Sequence, residues 1–461
     1  MRTINITTSS YSITTPSYSI TTHSKELRFL LLFNDQKHQT SELNKFINLS
    51  SDSSMRKIQY STAKYSSSVR TNNLTSKHFI ESTEIASWQN EPRVTYWLTN
   101  GKTAGINLST VLAQKNPKKY LVYVCHENCG GWGDRLRGIM SVFMMSLMLD
   151  RNFQIEITHP CNLTRILKPN FYNWLQPLNL IRRNNLTRKR YKLTRKMIIT
   201  SANAKEFFLK NVSRIIRNST IDEIWPEDVL YIATNKNYYY EMSENVRYRK
   251  KFKTYGILTK YNIKLETLFP LFYELLFQPV ERVKNQIEKY TKMRLNKTLI
   301  CAQMRTGQNP TLSNDKILPG RQNITETIFN FIDDYIKTNL SHNKMIDYRI
   351  FITTDSDSVK TEAKVRYSDH LIYTQGAITH LDRSDTDQAC REQDKLLTDF
   401  HLLGDCDLSI ISNSGFGIWG NLRRYEPYKD LYMFCGGKIY PIKSLWHKYE
   451  MHKQNNFGQL C

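Results

Sequence analysis

Between residues 299 and 434 short β-rich runs alternate with helical patterns, and this rhythm constrains the fold more than any other feature of the chain. Strands are predicted at 299–304, 349–353, 371–373, 408–411 and 431–434, and helices at 324–338, 358–367, 394–403 and 417–424. Strands that alternate with helices build a doubly wound, mainly parallel sheet, because each crossover lays its helix on a sheet face. Ligands of such sheets bind beyond the carboxyl ends of the strands. The first half repeats the pattern less regularly. A strand at 120–125 runs into a Gly-rich turn, and Leu136, Ile139, Met140, Phe143, Met144 and Leu147 then recur at helical spacing. Strands at 153–157 and 229–233 and a mostly helical stretch at 265–290 follow.

Residues 1–115 differ in kind. The first ninety or so are rich in Ser, Thr, Asn and Tyr, and SYSITT occurs at Ser10 and again at Ser17. Such a composition buries little apolar area and is expected to be disordered or stalk-like. The remainder divides into an α/β lobe at 116–292 and a second, Rossmann-like lobe at 293–461.

The formal net charge of +23 suits an anionic partner. The densest basic runs, 182–196 and 247–253, read as solvated faces, and their aromatic interleaving follows no nucleic-acid-binding module. Eight cysteines are compatible with disulfides without requiring them, and the tight pair Cys125 and Cys129 has no second pair at zinc-site spacing. Sequons at Asn5, Asn48, Asn73, Asn107, Asn162, Asn185, Asn211, Asn218, Asn296, Asn323 and Asn339 fit the secretory pathway, with the Golgi lumen or secretion as the expected location. The only N-terminal apolar run, 27–33, falls far below the ~20 residues of a spanning helix and is short and late for a signal peptide. No membrane anchor is therefore visible.

Four segments could carry chemistry. In Gly130–Gly138 (GGWGDRLRG) the glycines, Gly131 and Gly133 among them, permit close backbone approach at a helix start. Arg135 and Arg137 sit there against the helix dipole, so an anion is expected nearby. Gln303-Met304-Arg305 ends an apolar strand in a cation whose planar fork can clamp a diphosphate. Thr353–Asp357 could cap a helix; its two aspartates have no further ligand at a telling spacing, so no metal site is expected. Asp399 flanks the apolar face of the 394–403 helix and wants a donor partner such as guanine, whereas His401 lies off that face and reads as exposed. Ser412, Ser414 and the glycines beside them could nest a phosphate.

Taken in order, the segments CHENCGGWGDRLRGIMSVFMMSLML, ICAQMRTG, FITTDSDSVKTEAKVRYSDHLIY and LLTDFHLLGDCDLSIISNSGFG resemble the fucosyltransferase superfamily, most closely its α-1,6-fucosyltransferases. The resemblance implies a GT-B-like α/β fold of two facing Rossmann-like lobes, the first on the acceptor side and the second on the GDP-fucose side. It implies GDP-fucose as donor, a glycan or glycoprotein as acceptor, inversion at the anomeric carbon and no metal or other cofactor. Carried over by position, Arg305 holds the β-phosphate, Asp399 the guanine, Asp355 the ribose or guanine, Ser412 and Ser414 the phosphates, and Arg135 the transferred sugar. Gln303 stands where relatives often have His, and the second Arg and acidic segment of the α-1,6 enzymes are replaced by Thr306–Pro310. That leaves Asp134 and Asp315 as the only candidates for the base. It also leaves open a catalytically silent, nucleotide- or glycan-binding protein of the same fold.

Overall fold

The computed structural model describes residues 88–127, 129–175, 194–200, 206–257, 265–312, 315–340, 347–445 and 447–448. All of them belong to one unit, Asn73–Cys461. The expected disorder of residues 1–87, the basic run at 182–193 and the sequons Asn5, Asn48, Asn73 and Asn185 lie outside the described residues.

Two α/β lobes are present. The first carries β1 (Asn116–Cys125), β2 (Arg151–Ile157), β4 (Arg195–Thr200) and β5 (Val229–Thr234), hydrogen-bonded in the order β2-β1-β5-β4 with every neighbour parallel. A short antiparallel pair, β3 (Leu167–Pro169) and β6 (Phe277–Pro279), sits apart. The second lobe runs β12-β11-β10-β7-β8-β9, built from β7 (Thr298–Met304), β8 (Tyr348–Thr354), β9 (Leu371–Ile372), β10 (Leu408–Ile411), β11 (Leu431–Cys435) and β12 (Lys438–Pro441). Only β11 and β12 are antiparallel. Interior strands such as β1 and β7 are buried on both faces, which is why they read as continuous apolar runs. In both sheets the chain moves outward from one strand and later returns to its other side: at β1/β5 in the first lobe and at β7/β10 in the second. Such reversals open a crevice at the carboxyl ends.

The helices that frame the lobes and the site include α1 (Pro92–Thr103), α2 (Trp132–Met148), α3 (Glu206–Asn218), α4 (Leu265–Leu276), α5 (Glu281–Met293), α6 (Ile324–Tyr335), α7 (Asp357–Tyr367), α8 (Thr386–Arg391), α9 (Gln393–Leu403) and α10 (Gly415–Leu422). The sequence places α1 in a low-complexity tail, but it starts on a proline at its first turn and buries Val94 and Trp97 against the body. Trp97 Nε1 donates to the Arg423 carbonyl at 3.2 Å, and Arg93 pairs with Asp405. The ordered body therefore extends well ahead of residue 116. Likewise α5 falls just before the expected lobe boundary yet packs on α9, and its Tyr290 joins a core cluster with Leu299, Phe351 and Leu402 of the second lobe.

Helix α2 is apolar nearly all round and is accordingly buried along almost its whole length. One of its ends meets α10 of the other lobe through glycines. A Cβ on Gly133 would lie 2.4 Å from the Gly415 carbonyl carbon and 2.6 Å from the Phe416 nitrogen, both backbone atoms. Gly133 is thus required by helix–helix approach. Gly133→Ala is expected to destabilise the protein by roughly 1–3 kcal/mol, the usual cost of overpacking; urea unfolding measures it, and an unchanged midpoint would mean the lobes part here at no cost.

The lobes share one continuous core, in which Leu397, Phe400, Trp419 and Leu422 of the second pack among the residues of the first. At its centre lies an ion cluster. Arg423 donates through Nε (3.2 Å) and Nη2 (2.8 Å) to Glu274 Oε1, and His401 sits between the Tyr273 hydroxyl (3.0 Å) and Arg423 Nη2 (3.3 Å). His401, expected at the surface, is fully buried because the opposite lobe covers that side of α9.

Candidate active site

A cavity of about 330 Å³ opens beyond the carboxyl ends of β7, β8 and β10, at the second lobe's strand-order reversal, and the start of α2 in the first lobe closes it. It collects Gly131, Gly133, Asp134, Gln303, Arg305, Asp355, Asp399 and Ser414, all singled out from sequence. It leaves out Arg135 and Ser412, whose side chains are engaged elsewhere.

One end is cationic. Arg305 leaves β7 with its backbone N–H donating to Ser412 Oγ (2.9 Å), and its guanidinium Nη1 pairs with Asp355. Behind it Arg321 donates to the Arg305 carbonyl and to the Asn413 carbonyl (3.0 Å). Burial, reinforced by the Arg305 charge, pushes Arg321 down to about 10, which leaves it cationic at neutral pH. Two arginines thus face one carboxylate. The amino end of α10, at Ser414–Phe416, adds its N–H groups to the same wall. This end is built for an anion.

The other end is an acceptor. Asp399 is buried, and its Oδ2 takes hydrogen bonds from Lys395 Nζ (2.7 Å) and Thr353 Oγ1 (2.9 Å). Its Oδ1 is buried with no partner among the described residues. A buried carboxylate oxygen without a donor is costly, so a ligand N–H belongs there.

Four expectations from sequence need correction. Arg135 does not face the cavity: its guanidinium is buried and donates to the Gly130 carbonyl (3.0 Å), the His159 carbonyl and Asp382 (2.6 Å). Asp382 of the second lobe, which also accepts from the Gly130 N–H, is the anion that Arg135 called for. Ser412 is fully buried, holding the Arg305 backbone and donating to Gln303 Oε1 (3.1 Å). Asp355 touches the cavity, but its oxygens are committed to Arg305, the Thr306 N–H and hydroxyl, and the Gly307 N–H (2.9 Å). It orients Arg305 and has no free oxygen for a ribose or guanine. Asp315 does not line the cavity; it is paired with Arg383 (3.4 Å) and accepts from the N–H of Asn309, which does (3.0 Å).

No sequence pattern pointed to His380, which sits in the irregular segment between β9 and α8 and lines the cavity. Its Nδ1 accepts from the Asp382 N–H (3.2 Å), so the neutral ring carries its proton on Nε2. Burial, with the Arg383 and Arg305 charges, pushes this imidazole down to about 4. Burial holds His401 well below its ordinary range too, beside Arg423 and Arg93. In the unfolded chain both rings titrate near about 6.5. The stability they supply as neutral groups is complete above that pH and is lost as pH falls toward 4. Stability is therefore expected to drop between pH 7 and 5, and His380→Asn to make that drop shallower. Urea titrations at the two pH values test this, and identical drops would show a ring already protonated in the fold.

The segment that carries His380 is tied to the opposite lobe. Cys161 in the loop after β2 is disulfide-bonded to Cys390 in α8, and Asp382 is held by Arg135 and Gly130. Cys125–Cys129 and Cys301–Cys406 form the other disulfides among the described residues. Also among these residues, no group of three or more His, Cys, Asp or Glu converges to hold a metal ion, and no helix is long and apolar enough to cross a membrane.

No family model and no curated protein matches the chain. Among solved structures it is similar to an Arabidopsis thaliana FUT1 mutant in complex with GDP, at 14% identity over 75% of this chain and 79% of that one, with a TM-score of 0.48. It is also similar to the NodZ alpha-1,6-fucosyltransferase soaked with GDP-fucose (10% identity, 71% and 99% coverage, TM-score 0.44). POFUT1 in complex with GDP gives 12% identity, 69% and 99% coverage and a TM-score of 0.36.

Proposed function

We propose that the chain is a glycosyltransferase that moves L-fucose from GDP-fucose to a hydroxyl of a glycan or glycoprotein, inverting the anomeric carbon and using no metal. One observation carries this reading: a single cavity offers a cationic end at Arg305 and an unpartnered carboxylate oxygen at Asp399. A guanosine diphosphate has complementary ends. The N–H donors of guanine meet Asp399, and the β-phosphate lies among Arg305, the His380 Nε2–H and the amino end of α10. As the acceptor oxygen bonds to C1 of fucose, the bond from C1 to the β-phosphate oxygen breaks and GDP leaves with the electron pair. Fixed cations opposite that developing charge lower the barrier, the part a metal plays in other transferases.

The acceptor proton needs a base. Asp134, partly exposed on the first-lobe rim of the cavity, is the candidate, and its carboxylate pairs with Arg137. That pairing also favours a second reading, a catalytically silent protein that binds GDP-sugar without transfer. The disulfides and the exposed sequons Asn107, Asn162, Asn218, Asn296, Asn323 and Asn339 support a secretory compartment, the Golgi lumen or the cell exterior.

Calorimetric titration with GDP and UDP in EDTA tests the donor assignment. GDP is expected to bind and UDP not, with GDP affinity falling at least tenfold in Asp399→Asn. Equal affinity for both nucleotides removes the guanine assignment, and EDTA inhibition of transfer reversed by Mn²⁺ removes the metal-free one.

A further inference from the structure

Lys395 stands in the first turn of α9, and its side chain is only 11% exposed. Local helix physics argues against a lysine there. The positive end of the helix dipole disfavours a cation in that turn. A lysine four residues ahead of its acid, here Asp399, is also the weaker order for a helical ion pair. Burial adds a desolvation cost that only close partners offset. The placement is explained by what the ammonium reaches.

Lys395 Nζ donates to Asp399 Oδ2 (2.7 Å) and to Thr374 Oγ1 (2.6 Å), just beyond β9. Thr353 Oγ1 donates to the same Oδ2 (2.9 Å). Asp399 is thus held by one oxygen, and Oδ1, buried without a partner among the described residues, is the one left for a ligand. An ammonium carries three N–H donors, and its two described acceptors use two of them. Lys395 lines the donor cavity beside Asp399, so the third donor and the free oxygen belong to one wall. The segment beyond β9 is fastened to the start of α9 a second time, where the Ala377 N–H donates to Glu392 Oε2 (2.8 Å). That second tie keeps Thr374, and through it the ammonium, in place.

We propose that Lys395 is a specificity-determining residue that donates to O6 of guanine while Asp399 Oδ1 accepts from N1–H and the 2-amino group, a reading that rests on the GDP-sugar site above. Along this edge guanine presents an acceptor, a donor and a second donor in a row. A fixed ammonium beside a carboxylate oxygen with two lone pairs is the complementary row. Adenine carries an amino group in place of O6 and so turns a donor toward the ammonium. Uracil matches at O4 and N3–H but brings its O2 against Oδ1. Rejection follows because the buried ammonium or carboxylate would then be left without its partner. Selection thus needs the lysine as well as the aspartate.

Calorimetry of the full chain with GDP and with 6-thio-GDP tests this, since sulfur replaces O6 while N1–H and the 2-amino group remain. Wild type is expected to bind the thio analogue about fivefold more weakly, because sulfur is the poorer acceptor for a charged donor. Lys395→Met is expected to bind GDP at least about tenfold more weakly and to bring the two nucleotides within about twofold of each other. Closure of that gap is a coupling between one side chain and one ligand atom, which a merely structural lysine would not produce. Equal affinities in wild type overturn the proposal, and that comparison stands even if the methionine variant does not fold. A gap that survives unchanged in Lys395→Met overturns it too. In both cases GDP still binds and the donor reading stands, whereas failure of wild type to bind GDP removes the two together.

Discussion

Arg305→Ala is expected to lower kcat for transfer from GDP-fucose by about three orders of magnitude, in the range found when a fixed donor to a developing oxyanion or phosphoryl charge is removed. The melting temperature should move by no more than a few degrees. The side chain is partly exposed, and its one described partner, Asp355, keeps three other hydrogen bonds from Thr306 and Gly307. Arg305→Lys retains the charge without the planar fork and should recover part of the rate. Steady-state kinetics with radiolabelled donor, alongside calorimetric melting, separate the outcomes. A full rate in the alanine variant would remove Arg305 from the phosphate end.

Arg423→Met is expected to cost about 3–5 kcal/mol of folding stability, because it strands the Glu274 carboxylate in a dry core. Both side chains are only 1% exposed, and Glu274 Oε2 already lacks a partner among the described residues. The guanidinium also lies 4.4 Å from the Tyr273 ring centroid, a contact that methionine only partly replaces. Adding Glu274→Leu to the methionine variant should restore most of the loss, since an apolar pair avoids the desolvation that the ion pair must offset. A double-mutant cycle by urea unfolding measures the coupling. Single variants within 1 kcal/mol of wild type would mean that water reaches this cluster.

Local pattern carried most of the second lobe. Every strand and helix expected between 299 and 434 is found within a few residues, because buried parallel strands and amphipathic crossovers advertise themselves in hydrophobic spacing. The places of Arg305 and Asp399 on the cavity wall were legible for the same reason: one ends an apolar strand and the other flanks a helix stripe. What stayed hidden depends on residues far apart in the chain. Arg135 was rightly read as needing an anion, but that anion is Asp382, 247 positions away, and the pair is structural. His401 looked exposed on an isolated helix and is buried because the opposite lobe packs there. His380 sits in an irregular segment with no periodicity to read, and the partners of Cys161 and Cys301 lie 229 and 105 residues off.

A single proteolytic cut anywhere between Cys161 and Cys390 leaves fragments that migrate as one molecule until a thiol is added. The halves are also poor candidates for separate expression. A first-lobe polypeptide would display an unpaired Cys161 and the bare face meant for Leu397, Phe400 and Trp419, and a second-lobe polypeptide would lose the anchor for the strap bearing His380. Boundaries drawn between the two sheets mark topology; the unit that folds, and the unit to clone, is both lobes together with α1.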